Sequence, residues 1–338
     1  MSGEEGHKAM LWETAPEGKA QCFLCAHRCL IADGNRGLCH VRLNRGGELY
    51  TLVYGPLVAM NIDPIEKKPL FHFQPGTVSL SVATAGCNFR CGFCQNWQIS
   101  QAARQGNIDG RFVAPEELVK TAKAKECASI SYTYTEPTIF FEYAYDTARL
   151  AHDSGLKNVF VTNGYQTPET IEKMAGMIDA ANVDLKSFSN DFYRKQCKAR
   201  LEPVLEAIRL MHAAGIFIEV TTLVVPGQND DEEQLRGIAG FIAGICEDIP
   251  WHISRFHPDY EMNNTIATPM EAIQRAIDIG REEGLRFVYA GNVVGWQDTV
   301  CPQCGAVVIA RNGFAVSKAN LTGNNCGGCG KELPFIAA

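Results

Sequence analysis

Cysteine is the residue whose spacing in this sequence points most directly to chemistry. The chain has 338 residues and 14 cysteines, three of which form a C-x3-C-x2-C pattern at Cys87, Cys91 and Cys94. Three thiolates can hold a cubane of four irons and leave one iron open to substrate or cofactor. A three-cysteine zinc site and accidental crowding are the alternatives.

Two further cysteine groups flank this motif. The N-terminal group has a C-x2-C-x3-C-x9-C spacing and consists of Cys22, Cys25, Cys29 and Cys39. The C-terminal group consists of two C-x2-C pairs, Cys301 with Cys304 and Cys326 with Cys329. We expect zinc in the C-terminal group, and either zinc or a second iron–sulfur cluster in the N-terminal group. The isolated cysteines are expected to be buried thiols that act as small hydrophobes: Cys127, Cys197 and Cys246.

Composition limits the class of protein that can carry these groups. With 46% hydrophobic and 20% charged residues, the chain is expected to bury a sizeable core. A formal charge of -7 argues against a general nucleic-acid binder. The sequence has no apolar run long enough for a membrane span and no apolar signal core, so a cytoplasmic location is expected. In that compartment thiols stay reduced, which favours metal ligation over disulfides.

Strand-like and helix-like segments alternate about six times between residues 77 and 292. The strands are nearly uniformly apolar, as in VFVTN and IEVTTLVV, which is typical of parallel strands covered on both faces. We therefore predict an α/β fold with a partial TIM-type (β/α)6 barrel. A doubly wound open sheet is the alternative, although no GxGxxG follows a first strand. The predicted modules are residues 1–75 (cysteine-rich module and connector), 76–298 (barrel) and 299–338 (a zinc-ribbon-like tail with few basic residues).

Polar residues recur where the predicted strands end. In barrels of parallel strands, functional groups lie at the carboxyl ends. The sequence therefore predicts one site built from residues that follow successive strands, namely Cys87, Glu136, Asn163, Lys186, Pro226, Gly227 and His257.

With these motifs the chain resembles the radical SAM superfamily, in which C-x3-C-x2-C is the defining pattern. The resemblance implies a 4Fe–4S cluster that reductively cleaves S-adenosylmethionine (SAM) to a 5′-deoxyadenosyl radical, which abstracts hydrogen from an unidentified substrate. It also implies a reductant such as ferredoxin or flavodoxin. Residues 77–295 are most similar to activating enzymes of the pyruvate formate-lyase activase type.

The same resemblance suggests which residues bind SAM. They are Asn96, after the last cysteine of the motif; Glu136, in a TYTEP segment where relatives carry Gly-Gly-Glu-Pro; Asn163, in TNG; Asp184 and Lys186, in DLK; and His257, in RFHP. Because the paired glycines are missing, the contacts at Tyr134 and Thr135 are not carried over. Each residue also has a structural alternative: Glu136 as a helix cap near Thr138, Lys186 as a surface lysine and His257 as a buried imidazole.

The fragment QCFLCAHRCLIADGNRGLCHVRLN and the C-terminal cysteine pairs resemble radical SAM proteins of the AmmeMemoRadiSam system. That resemblance implies an association with Memo-type and AMMECR-type proteins. A glycyl-radical-enzyme activase is a narrower alternative function. A multi-cluster electron carrier or interaction protein is an alternative of a different class, and it would be redox-active without cleaving SAM.

Overall fold

The computed structural model describes residues 6–293, 295 and 297–337. Two small antiparallel sheets, each of three strands, form the N-terminal part. Their strands are β1 (His7–Lys8), β2 (Trp12–Ala15), β3 (Lys19–Cys22), β4 (Leu30–Ile31), β5 (Arg42–Arg45) and β6 (Glu48–Thr51). Strands β1, β6 and β5 form one sheet, and β2, β3 and β4 form the other.

A nine-stranded sheet forms the centre of the molecule. Its strands are β7 (Pro56–Pro64), β8 (Val78–Thr84), β9 (Arg111–Phe112), β10 (Ser129–Tyr132), β11 (Lys157–Thr162), β12 (Ala180–Asp184), β13 (Phe217–Val224), β14 (Trp251–Arg255) and β15 (Val288–Gly291). The spatial order is β15-β14-β13-β12-β11-β10-β8-β7-β9. Neighbours from β8 through β15 pair in parallel, whereas β7 pairs antiparallel with both β8 and β9.

Helices connect the parallel strands. They are α1 (Trp97–Ser100), α2 (Pro115–Ala124), α3 (Phe141–Asp153), α4 (Pro168–Met174), α5 (Asn190–Phe192), α6 (Leu201–Ala213), α7 (Glu232–Ala243) and α8 (Met270–Glu282). Six strand–helix units are thus followed by a seventh parallel strand, β15. The parallel strands lie side by side in chain order. A doubly wound sheet reverses its order at a switch point, so that alternative is wrong.

Local sequence explains several of these elements. The strand β8 is buried along nearly its whole length and β10 along all of it, as expected for strands covered on both faces. Helix α4 begins with a capped first turn: the Thr167 side chain accepts a hydrogen bond from the Thr170 backbone N–H, and Pro168 occupies the first turn. Asp231 caps α7 in the same way by accepting from the Gln234 N–H.

The strand β7 lies in the segment 51–75, for which we predicted only a connector with short extended pieces. It is a nine-residue strand in register with β8, for example at Asp63 opposite Ser79. Its burial does not alternate regularly, and Pro56 and Pro64 occupy its two ends. A short apolar run between prolines carries little of the period-two signal that identifies a strand.

The C-terminal part forms a small antiparallel unit that packs on the central sheet. Its strands are β16 (Thr299–Val300), β17 (Val307–Asn312), β18 (Ala315–Ala319), β19 (Leu321–Thr322) and β20 (Asn325–Cys326). Val308, Ile309 and Phe335 share a hydrophobic cluster with Phe71 and Tyr289. Since Phe71 contacts His252 in β14 and Tyr289 lies in β15, this unit packs at the β14–β15 end of the parallel series. No helix in the described part of the chain has the length and apolarity needed to cross a membrane.

Candidate active site

The loop after β8 carries the three cysteines of the C-x3-C-x2-C motif into one cavity. This cavity has a volume of about 510 Å³, within the range of small-molecule sites. Its wall contains Cys87, Cys91, Cys94 and the strand-end residues Asn96, Glu136, Asn163, Asp184 and Lys186. The carboxyl ends of successive parallel strands therefore meet at one site, and most of the residues expected there lie in its wall.

Burial disfavours the charged form of the motif thiols. It raises the pKa of Cys87 well above the ordinary thiol value, and the nearby Glu136 carboxylate raises it further. Burial also raises the pKa of Cys94, while a contact with the Ser100 hydroxyl, with Sγ and Oγ 3.3 Å apart, lowers it. Because metal ligation requires thiolates, such a site gains most from a cation that takes the place of these protons.

Sequence reasoning missed Cys197, which lies beside the motif. A side-chain hydrogen bond between Cys91 and Cys197 is the largest cause that raises the pKa of Cys91, ahead of burial. Cys197 is 0% exposed and ends a π-helical turn, Tyr193–Cys197, and its carbonyl accepts from the Arg90 N–H at 3.0 Å. It is buried as predicted, but it contacts a motif cysteine rather than only apolar groups. Its distance of more than 100 residues from the motif gave no signal in the sequence.

Two asparagines of the predicted site hold the cysteine loop against its neighbours. The Asn163 side-chain amide donates to Asn88 Oδ1 at 2.7 Å, and Asn88 directly follows Cys87. The Asn96 amide donates to the Tyr134 carbonyl at 2.9 Å. These contacts join the loop after β8 to the loops after β10 and β11.

Glu136 is held by internal hydrogen bonds. It is 2% exposed, and its carboxylate accepts from the Thr138 N–H at 3.1 Å, the Thr162 hydroxyl at 2.7 Å and the Asn163 N–H at 2.8 Å. It caps the short 3-10 helix Pro137–Phe140, which is the structural alternative expected for it. Burial raises its pKa, against the effect of these donors. Its carboxylate nevertheless lines the cavity.

Asp184 and Lys186 form an ion pair in the cavity wall, with Lys186 Nζ 2.8 Å from Asp184 Oδ2. The Lys186 side chain is 13% exposed, so the alternative of a surface lysine is wrong. Burial opposes its charge, but the Asp184 carboxylate favours it, and the pKa of Lys186 is raised well above its ordinary value. Lys186 therefore presents a permanent positive charge to the cavity.

His257 lies at the rim of the site. It is exposed, so the alternative of a buried imidazole is wrong. The Gln95 side-chain amide lies 3.1 Å from His257 Nδ1, and Gln95 lines the cavity. Thus His257 is next to the site through Gln95 and is not itself among the lining residues.

A cluster of Asp63, Lys68 and Tyr134 beside the cavity was not anticipated. Lys68 Nζ donates to Asp63 Oδ2 at 2.6 Å and lies 4.4 Å from the centre of the Tyr134 ring, while the Tyr134 hydroxyl donates to the same Asp63 oxygen. Burial lowers the pKa of Lys68 to about 8. Tyr134 stands where the resemblance described above places a glycine, and its backbone adopts a left-handed φ of 62°. Phe314, from the C-terminal β17–β18 hairpin, completes the wall.

The outer cysteine groups differ in geometry. Cys301, Cys304, Cys326 and Cys329 have all four sulfurs within 4.8 Å of one another, and in the described ranges no other set of three or more His, Cys, Asp or Glu ligands is so close. The sulfurs of Cys22, Cys25, Cys29 and Cys39 instead surround a separate enclosed cavity. The isolated Cys127 is buried, as expected, whereas Cys246 is partly exposed.

Comparisons with known proteins agree with this arrangement. Residues 81–237 match the family described as the radical SAM superfamily. An uncharacterized protein of Methanocaldococcus jannaschii is 44% identical over 97% of this chain and 99% of its own length. The pyruvate formate-lyase-activating enzyme of Clostridium pasteurianum is 22% identical over 55% of this chain and 83% of its own length.

Among solved structures, a radical SAM methyltransferase from Sphaerobacter thermophilus aligns with a TM-score of 0.51. The alignment covers 64% of this chain and 67% of that chain at 17% identity. At this level of identity the likeness concerns the fold alone.

Proposed function

The chain belongs to the radical SAM superfamily and is therefore an enzyme, and we propose that it cleaves SAM reductively to a 5′-deoxyadenosyl radical that abstracts hydrogen from a substrate bound in the same cavity. One observation carries the proposal: Cys87, Cys91 and Cys94 lie together in the wall of a polar cavity at the carboxyl ends of the parallel strands.

The donor set fits a 4Fe–4S cluster. Three thiols from one loop face one cavity, and their sulfurs lie farther apart than the four sulfurs of the C-terminal group. This wider spacing suits an iron–sulfur cluster better than a single metal ion. When bound, the cluster supplies a strongly reducing electron and an iron with an open coordination position. The protein must hold it away from bulk water, and the burial of Cys91 at 8% exposure serves that requirement.

The remaining polar residues of the wall are proposed to bind SAM. We propose that Lys186 attracts the carboxylate of SAM and that Asp184 faces its ribose or its cationic groups, since both are held in fixed positions by their ion pair. Asn96 and Asn163 position the cysteine loop, and Glu136 orders the backbone of the next two loops. We propose that His257 contacts the adenosine portion of SAM from the rim.

Partners follow from this chemistry. Radical SAM enzymes need a reductant, and we propose ferredoxin or flavodoxin as its class. We also propose an association with Memo-type and AMMECR-type proteins, a cytoplasmic location, and a division into three modules with boundaries at residues 75/76 and 298/299. For the C-terminal cysteines we propose zinc in a structural role.

The proposal is tested by electron paramagnetic resonance (EPR) on protein reconstituted without oxygen. Addition of SAM is expected to change the spectrum of the reduced cluster, because SAM would bind directly to the open iron. The Lys186→Met variant should need a higher SAM concentration for the same change. A spectrum unaffected by saturating SAM would refute the assignment.

A glycyl-radical-enzyme activase is a second candidate, and the similarity to the activating enzyme of C. pasteurianum favours it. An activase must admit a loop of a partner protein to its radical. In this chain Phe314 of the C-terminal hairpin and the buried Lys68 close part of the cavity, an arrangement better suited to a small substrate. A glycyl-radical EPR doublet on a partner protein would establish the activase function.

A further inference from the structure

The four N-terminal cysteines surround one enclosed cavity whose other walls are mainly apolar. The cavity is lined by Cys22, Cys25, Cys29, Cys39, Leu24, His27, Ile31, Gly37, Leu38, Arg42, Thr138 and Ile139. Several of these side chains are almost inaccessible, with Leu24 at 2%, Ile31 at 3% and Ile139 at 1% exposure. Four thiols thus share a dry space that no residue of the proposed SAM site occupies.

The geometry of this group differs from that of the C-terminal group in a way that discriminates between metals. Zinc–sulfur bonds of about 2.3 Å in a tetrahedron place neighbouring sulfurs about 3.8 Å apart. The C-terminal sulfurs match this value, with Cys301 and Cys329 3.7 Å apart and Cys304 and Cys326 also 3.7 Å apart.

Among the described residues, no three of the N-terminal cysteine sulfurs lie within 4.8 Å of one another. Sulfurs that ligate a cubane stand farther apart than those around a single ion, because four irons and four sulfides lie between them. The N-terminal arrangement therefore favours a cluster over a zinc ion.

The charge around these sulfurs is suited to a negatively charged group. Arg42 Nη1 lies 3.4 Å from Cys22 Sγ, and Arg42 is 1% exposed. Its charge is held in place by an ion pair with the buried Glu142. Hydrogen bonds from the backbone of His27 to Cys25 and of Val41 to Cys39 are further donors to sulfur. Such donors stabilise thiolate ligands and tune cluster potentials.

The N-terminal group lies next to the C-x3-C-x2-C loop. His27, two residues after Cys25, places Nε2 2.8 Å from the carbonyl oxygen of Asn88, the neighbour of Cys87. Arg104 interacts electrostatically with both Cys39 and Cys87, so one guanidinium is near both cysteine groups.

The segment around Cys25 is also fixed to the loop after β11. The Ala26 N–H donates to the Tyr165 carbonyl at 2.9 Å, and the Thr167 hydroxyl donates to the Phe23 carbonyl at 2.6 Å. The relative position of the two cysteine groups is therefore set by direct contacts.

We propose that Cys22, Cys25, Cys29 and Cys39 hold a second iron–sulfur cluster of the cubane type, which passes single electrons to the cluster at Cys87, Cys91 and Cys94. The donor is a low-potential one-electron protein of the ferredoxin or flavodoxin class. It is oxidised by one electron, the second cluster is reduced and then reoxidised, and no bond or proton changes place. The relay role rests on the proposed function, whereas the identity of the cluster does not.

The identity is tested in the Cys87→Ala/Cys91→Ala/Cys94→Ala variant of the full chain, which lacks the SAM-binding cluster. After anaerobic reconstitution we expect about four irons and four sulfides per chain, with a Mössbauer spectrum of a cubane cluster. Zinc should remain at about one per chain, in the C-terminal group. A variant with no iron and about two zincs per chain would overturn the proposal. This outcome is independent of SAM cleavage by the wild-type enzyme.

A matched variant, Cys25→Ser/Cys39→Ser, removes ligands of the N-terminal group alone. Reconstituted iron should fall by about half relative to wild type, with the zinc content unchanged. Iron that stays at the wild-type level in this variant would contradict the assignment, and the triple variant still tests it if this variant does not fold.

The relay is tested by following reduction of the SAM-binding cluster by EPR in wild type and in Cys25→Ser/Cys39→Ser. With reduced flavodoxin as donor, the variant should be reduced at least about tenfold more slowly, whereas titanium(III) citrate, a small reductant, should reduce both proteins at similar rates. The relay would be refuted if flavodoxin reduced the two proteins at equal rates. It would also be refuted if the variant's rate of reduction fell equally with both reductants.

Discussion

Asn163 donates its side-chain amide to Asn88 Oδ1 at 2.7 Å, and so ties the end of β11 to the residue that follows Cys87. The Asn163 backbone N–H is in turn held by Glu136 at 2.8 Å. The three carboxyl-end loops after β8, β10 and β11 are thereby connected through one asparagine. This contact positions the loop that carries the motif cysteines and takes no direct part in the chemistry.

Replacement of Asn163 should impair SAM cleavage without removing the cluster. In Asn163→Ala the Asn88 side chain loses its donor, and a misplaced loop is expected to lower the rate of 5′-deoxyadenosine formation by about tenfold or more. Iron content, measured in parallel, should stay at the wild-type level. Asn263→Ala, at an exposed asparagine that donates to the Tyr260 carbonyl, is the control and should retain activity. Activity equal to wild type in Asn163→Ala would contradict this role.

The ion pair between Arg42 and Glu142 should stabilise attachment of the N-terminal sheets. The two side chains are 2% and 0% exposed. Glu142→Gln keeps the acceptor for the Met10 N–H but leaves the Arg42 charge unpaired, and we expect a loss of about 3–5 kcal/mol in the free energy of unfolding. Glu48→Gln breaks the exposed pair with Lys8 and should leave the free energy of unfolding nearly unchanged. Urea denaturation measures both, and similar small losses would disprove the argument.

Stability should fall as the pH drops below about 6.5, because of His72. Burial lowers the pKa of His72 to about 4, and the neighbouring Arg311 lowers it further, whereas the Glu219 carboxylate raises it. The unfolded chain therefore binds a proton before the folded chain does, and unfolding is favoured from pH 6.5 down to about 4. The loss is on the order of 3 kcal/mol across this range.

The His72→Gln variant isolates this effect. Glutamine can still bond to the Tyr289 hydroxyl, which lies 2.6 Å from His72 Nε2, but it does not titrate. We expect the variant to lose less stability than wild type between pH 6.5 and 4 when both are unfolded with urea. Parallel pH profiles would show that His72 is not responsible.

Loss of the C-terminal metal should loosen the contact of that unit with the central sheet. In Cys304→Ser/Cys329→Ser we expect loss of about one zinc per chain with no change in iron. Hydrogen exchange should then increase in β17, whose Val308 and Ile309 pack with Phe71. Unchanged zinc, or a fall in iron, would show that the metals have been assigned to the wrong groups.

The sequence predicted the alternation of strands and helices well because both signals are local. Apolar strands such as β11 and capped helices such as α4 carry their signature within about ten residues. The strand β7 was predicted only as a short extended piece, because its pairing with β8 depends on tertiary contacts and its own pattern is irregular.

Site residues that directly follow a strand were predicted. Site residues that reach the cavity from elsewhere in the chain were missed. Asn163 and Lys186 line the cavity because the ends of parallel strands converge. Cys197 reaches Cys91 from a helical turn, and Lys68 reaches Tyr134 from the segment after β7. No spacing rule in the sequence connects these pairs.

The central claim is tested most directly by the yield of 5′-deoxyadenosine from SAM and dithionite under anaerobic conditions. Wild-type protein reconstituted with iron and sulfide should form it, and Cys91→Ala should form none above the level without protein, since the cluster needs all three motif thiolates. The same yield from Cys91→Ala as from wild type would contradict the account.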